Sequence, residues 1–74
     1  MTRLPRVGGK EVVAALKSAG FVVVNVEGSH HQLYRRGSGL VTVPVHPKET
    51  LPPKTLKSIL KQAGLTIDQL LDLL

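Results

Sequence analysis

Residues 21–45 read FVVVNVEGSHHQLYRRGSGLVTVPV, and this stretch decides the fold. Valine-rich runs between glycine turns are typical of β-strands. We therefore predict three strands, at residues 21–27, 30–35 and 40–45. The turns at 28–29 and 36–39 are short, so the strands should form an antiparallel meander. Pro44 has no N–H to donate to a sheet, and we expect the third strand to lie at an edge.

Apolar residues recur at helical spacing on both sides of the strands. They predict three helices, at residues 10–19, 52–63 and 67–74. Gly20 and Gly64 should end the first two helices, and Thr66 with Gln69 fits a capping box before the last. The sequence therefore predicts an α+β fold, α-β-β-β-α plus a short C-terminal helix, with helices on one face of the sheet. This is the layout of double-stranded-RNA-binding domains.

Length and composition limit the classes of protein that this chain can be. Its 74 residues suffice for one small domain, and we expect a flexible leader at 1–9 and a single domain at 10–74. The chain has no cysteine, which excludes disulfides and thiolate zinc sites and fits a cytoplasmic protein. No apolar run approaches the roughly 20 residues of a membrane span, so we expect no membrane partner. A net charge of +5 favours an anionic partner, with nucleic acid as the first candidate.

His30 and His31 open the second strand and are the best candidates for chemistry. Imidazole exchanges protons near neutral pH, and RNA carries its own nucleophile, the 2′-OH, so RNA cleavage requires neither a metal nor a cofactor. Neighbouring strand side chains point to opposite faces, and the two histidines should not share a metal ion. His31 shares a face with Leu33, and His30 shares a face with Tyr34. If Leu33 faces the helices, so does His31; if Tyr34 faces them, His30 does instead. The alternation thus leaves open which histidine faces the active surface.

Further residues are candidates for supporting roles. His46 ends the third strand and is either a second proton-transfer group or an ordinary loop histidine. Lys54, Lys57 and Lys61 follow one side of the second helix, as a basic stripe for the RNA backbone or as a solvated helix face. The other candidates for RNA binding are Lys48, Arg35, Arg36 and Tyr34, the last of which could stack on a base.

Three stretches, taken in order, resemble the HicA toxin family of bacterial and archaeal toxin–antitoxin pairs. They are residues 16–21 (LKSAGF), 28–31 (GSHH), and 41–46 (VTVPVH) followed by 51–64 (LPPKTLKSILKQAG). The resemblance covers about residues 10–65. It implies a double-stranded-RNA-binding-like fold and ribosome-independent cleavage of messenger RNA. It also implies a HicB-type antitoxin that covers the active site, with an oligomer of the two proteins as one form of the complex.

Family members can read Gly-Ser-Asn-His where this chain reads Gly28-Ser29-His30-His31. The resemblance therefore places the catalytic role on His31, as general acid or base, with His30 and Ser29 as secondary candidates. We predict a metal-independent endoribonuclease toxin acting on messenger or single-stranded RNA. The alternatives are a non-catalytic RNA-binding module and a small interaction domain that uses its C-terminal leucine stripe.

Overall fold

The computed structural model describes residues 3–74. Its elements in chain order are α1 (Gly9–Ser18), β1 (Val22–Glu27), β2 (His30–Arg35), β3 (Gly39–Pro44), α2 (Pro53–Ala63) and α3 (Ile67–Leu73). The strands form one antiparallel sheet in the order β1-β2-β3, so β2 is central and β3 lies at an edge. The predicted α+β fold is confirmed, as is the edge position of the strand that carries Pro44.

The core lies between the helices and one face of the sheet. Leu33 of β2 and its cross-strand partner Val41 of β3 are completely buried at the centre of this inner face. Every helix adds apolar side chains to it, and the completely or almost completely buried ones include Val12, Leu16, Leu56, Ile59 and Leu70. Burial of each such side chain contributes about 1.5–3 kcal/mol. The opposite, outer face of the sheet is left to solvent.

Local signals fix the ends of the helices. Gly20 has a φ of +99°, and beyond it the Phe21 N–H donates to the Leu16 carbonyl at 2.9 Å. This left-handed turn ends α1 and directs Phe21 into the core. The capping box before α3 is confirmed, because the Gln69 N–H donates to Thr66 Oγ1 at 3.1 Å and the Thr66 N–H donates to Gln69 Oε1 at 2.8 Å.

Part of the segment 1–9, for which we expect a flexible leader, makes contacts with the rest of the domain. Residues 1 and 2 of that segment lie outside the described part of the chain. Val7, however, is buried, and its carbonyl accepts a hydrogen bond of 2.8 Å from the Leu51 N–H. Gly9 is already the first residue of α1. From Val7 onward the segment therefore packs on the domain, because Val7 has apolar surface to bury and a backbone partner beside it.

Two contacts set α1 and α2 against β3. A side chain at Gly9 would collide with the Pro44 carbonyl, so glycine is what lets the start of α1 approach the end of β3. In the last turn of α2, Gln62 Oε1 accepts a hydrogen bond of 3.3 Å from the Thr42 N–H. Helix α2 therefore runs back along the outer edge of β3, and its first turn lies at the end of the sheet where β3 finishes.

Candidate active site

His31 lies on the helix-covered face of the sheet. Its cross-strand neighbours are Val26 of β1 and Val43 of β3, and it lies two residues before the buried Leu33 on the same strand. Since alternate residues of a strand share a face, the imidazole points toward the core side. The side chain is half-buried there, near the end of the central strand. Of the two opposing indications in the sequence, Leu33 therefore gave the correct face for His31 and Tyr34 the wrong one.

The imidazole of His31 is held in an unusual environment for a polar ring. Its Nδ1 is buried and has no hydrogen-bond partner among residues 3–74. The other ring nitrogen, Nε2, is not among the buried, unpartnered atoms of these residues. An unpartnered buried polar atom costs stability, about 1–3 kcal/mol when burial is complete. Such atoms are uncommon in folded proteins, and a catalytic role is one of the recognised reasons for them.

His30 occupies the other face. It is exposed and pairs across the sheet with Glu27 of β1 and Pro44 of β3. The two adjacent histidines therefore point to opposite sides of the sheet, as their position on a strand predicted. Within residues 3–74 no group of three or more histidine or carboxylate side chains is placed to hold a metal ion.

The turn before His31 is tied to the end of β3. The carbonyl of Ser29 accepts a hydrogen bond of 2.6 Å from the Val45 N–H, and His46 is the next residue. The side chain of His46 is exposed and lines two surface grooves. One, of about 330 Å³, lies against the start of α2 and includes Thr55. The other, of about 480 Å³, lies against the start of α1. Ser29, His31 and His46 are thus all carried at one end of the sheet.

The lysines of α2 form an exposed row that starts at this same end. Lys54, Lys57 and Lys61 are all exposed, while the other side of the helix is buried in the core. The row spans about 10 Å along the helix axis. Lys48 joins it from the loop after β3, where it lines the larger groove together with His46. Its backbone φ is +63°, a left-handed conformation that is uncommon for lysine.

The remaining predicted contacts to RNA lie elsewhere. Arg36 follows the far end of β2, roughly 16 Å from His31 at the usual rise per strand residue. Tyr34 is exposed on the outer face of the sheet, opposite His31. Arg35 has structural contacts: its guanidinium donates to the Ala19 carbonyl at 2.9 Å and to Ser38 Oγ, and lies 4.6 Å from the centroid of the Phe21 ring. Only the α2 lysines and Lys48 are therefore placed near the histidine end.

Some residues of the site were not singled out by sequence reasoning. Glu49, Thr50 and Thr55 line the grooves beside His46. Gly9 is required for the close approach of α1 to β3 that forms one wall of the larger groove. The adjacent pair Gly8-Gly9, directly before a helix, was the available signal, because a glycine at a helix start often marks a close backbone contact. The groove-lining polar residues had no such signal.

Fold and site together define a small, basic α+β protein with a half-buried histidine at one end of a three-stranded sheet. A family model described as the HicA toxin of bacterial toxin-antitoxin matches residues 9–65, more than half of the chain. The chain belongs to the HicA toxin family, and its role is that of the toxin in a toxin–antitoxin pair, with an antitoxin as partner. The comparison with curated proteins found no match. No helix in residues 3–74 has the length and apolar character needed to cross a membrane.

Proposed function

We propose that this toxin is a metal-independent endoribonuclease that cleaves messenger RNA in the cytoplasm, with His31 as general acid or base. The observation that carries the proposal is the half-buried ring of His31, whose Nδ1 has no hydrogen-bond partner among the residues that the structure describes. Nothing in the packing of the core requires a histidine there, since both cross-strand neighbours are valines. An apolar residue would fill the position at lower cost.

The chemistry follows from the substrate. In RNA, the 2′-oxygen can attack the neighbouring phosphorus while the bond from phosphorus to the 5′-oxygen breaks. One group must accept the proton of the 2′-OH, and another must give a proton to the departing 5′-oxygen. A single positioned acid or base contributes about 10²–10⁴-fold to such a reaction. We assign one of these roles to Nε2 of His31, the ring nitrogen that is not sealed in the protein.

His46 and the lysines supply the supporting functions in this proposal. His46 lies in the loop tied to the Ser29 turn, and we assign it the second proton transfer. Lys48, Lys54 and Lys57 bring positive charge to the same end of the sheet, where it would hold the RNA backbone through its phosphates. The first turn of α2 contains no acidic residue, so its positive helix end is not neutralised there.

The layout of the domain agrees with RNA as the substrate, because the α-β-β-β-α order is that of double-stranded-RNA-binding domains. We further propose a HicB-type antitoxin that covers the histidine end, alone or in an oligomer with the toxin. A non-catalytic RNA-binding module is the second candidate function, and the exposed lysine row of α2 is the observation that favours it.

The test is cleavage of a long messenger RNA by purified protein in EDTA. His31→Ala should abolish cleavage and leave RNA affinity almost unchanged, because the lysines remain. His30→Ala is the matched control, since it removes the adjacent imidazole from the opposite face and should retain cleavage. Equal cleavage by His31→Ala and the wild type would refute the role of His31. Binding without cleavage by the wild type would identify an RNA-binding module instead.

A further inference from the structure

The two edges of the sheet are treated differently. At the β3 edge, Pro44 has no N–H, and the Thr42 N–H is taken up by Gln62 of α2. At the β1 edge, no hydrogen bond from residues 3–74 reaches the outer side of the strand. One edge is therefore closed, while the other presents a free row of backbone donors and acceptors.

The side chains of β1 suit an added strand. Val22, Val24 and Val26 are 57%, 54% and 52% exposed, and the run from Val22 to Val26 carries no charge. Natural sheets usually protect an open edge with lysine, proline or a bulge. β1 contains no lysine or proline, and its register shift between Val23 and Asn25 is a bulge that interrupts the edge at Val24 alone. Exposed valine on an open edge favours pairing with a further extended segment.

This edge also lies beside the candidate active site. Val26 is the direct cross-strand neighbour of His31. Strands in a sheet are about 4.8 Å apart, so a segment paired with β1 would lie about 10 Å from β2. From there, its side chains and the protein that carries it could cover the histidine end.

We propose that the antitoxin binds this toxin by adding an extended, apolar-rich strand to the β1 edge. The inference rests on the proposed function only in one respect, namely that binding at this edge masks His31. Family membership supplies the protein partner. The net charge of +5 favours an acidic partner over a second copy of the toxin, since two copies would repel each other.

The experiment measures binding separately from cleavage. The product of the reading frame adjacent to the toxin gene is purified and titrated into toxin that carries His31→Ala, with calorimetry as the readout. Adding Val24→Lys to the toxin should weaken binding at least about tenfold, because the charge would be buried against the new strand. Leu40→Lys is the matched control. Leu40 is 50% exposed on the closed-edge strand β3, and its substitution should change affinity less than about threefold.

Hydrogen exchange locates the contact in the same complex. Amides of Val22–Glu27 should gain at least about tenfold protection on binding, as expected for new strand pairing. Absence of a complex, equal binding by Val24→Lys, or unchanged exchange in β1 would each overturn the inference. A toxin dimer that Val24→Lys dissociates in sedimentation would assign the edge to a second copy, and would also overturn it. In each of these cases the wild type can still cleave messenger RNA. The proposal of antitoxin binding at the β1 edge and the proposal of endoribonuclease activity therefore fail independently.

Discussion

Replacement of His31 by leucine should make the toxin more stable and inactive at the same time. In the wild type, Nδ1 is buried without a partner in the described part of the chain, while both cross-strand neighbours are valines. A completely buried unpartnered polar group costs about 1–3 kcal/mol. Because the ring is only half-buried, we take the lower end of that range. His31→Leu should therefore raise the free energy of unfolding by about 1 kcal/mol, or the midpoint temperature by about 4–8 °C for a domain of this size.

Urea unfolding followed by circular dichroism measures the change, with equal slopes in wild type and variant as the condition for comparison. His30→Leu is the control on the outer face, where the free energy of unfolding should change by less than about 0.5 kcal/mol. RNA cleavage should be lost in His31→Leu and retained in His30→Leu. A loss of about 1 kcal/mol or more in His31→Leu would refute the reasoning, since it would mean that the imidazole contributes to the fold.

Three further predictions concern packing and charge. Gly9→Ala should lower the free energy of unfolding by about 1–3 kcal/mol, because its Cβ would collide with the Pro44 carbonyl; an unchanged urea midpoint would contradict this. Arg35→Lys should cost about 1–2 kcal/mol in urea unfolding through its lost bond to Ala19, yet change affinity for single-stranded RNA in fluorescence anisotropy less than about twofold. Lys57→Gln should leave the unfolding midpoint unchanged and reduce the salt dependence of that affinity by a slope of roughly 0.7–1.

The elements that the sequence predicts well are those with strong local signals. The sequence predicts β2 at 30–35, and the strand is found there, because glycine turns bound it on both sides. The capping box of Thr66 and Gln69 and the edge position of Pro44 follow from the chemistry of single residues, and both are confirmed. Helix and strand ends elsewhere differ from the predictions by about one residue, as at α1 and β3, where tertiary contacts decide.

The features that escaped prediction depend on contacts between distant parts of the chain. Leu33 and Tyr34 gave opposite indications for the face of His31, and only the packing shows Leu33 buried and Tyr34 exposed. Tyrosine tolerates exposure because of its hydroxyl group, so it is a weak guide to the phase of a strand. The contacts of Arg35 within the fold also escaped prediction: it shares the inner phase of Leu33 and lies over the ring of Phe21. A basic residue in phase with a core leucine is therefore expected to have contacts within the fold.

Three departures from the most stable arrangement occur at or near one end of the sheet. Among residues 3–74, the buried Nδ1 of His31 lacks a partner, Lys48 has a left-handed backbone, and the β1 edge beside Val26 is open. A domain of this size has only about 5–15 kcal/mol of net stability, and each unfavourable feature uses a noticeable part of it. Elsewhere, local signals and packing agree, as at the capped helix ends. Selection for function at one place produces such a cluster of unfavourable features. Selection for stability alone would have replaced the residues that cause them.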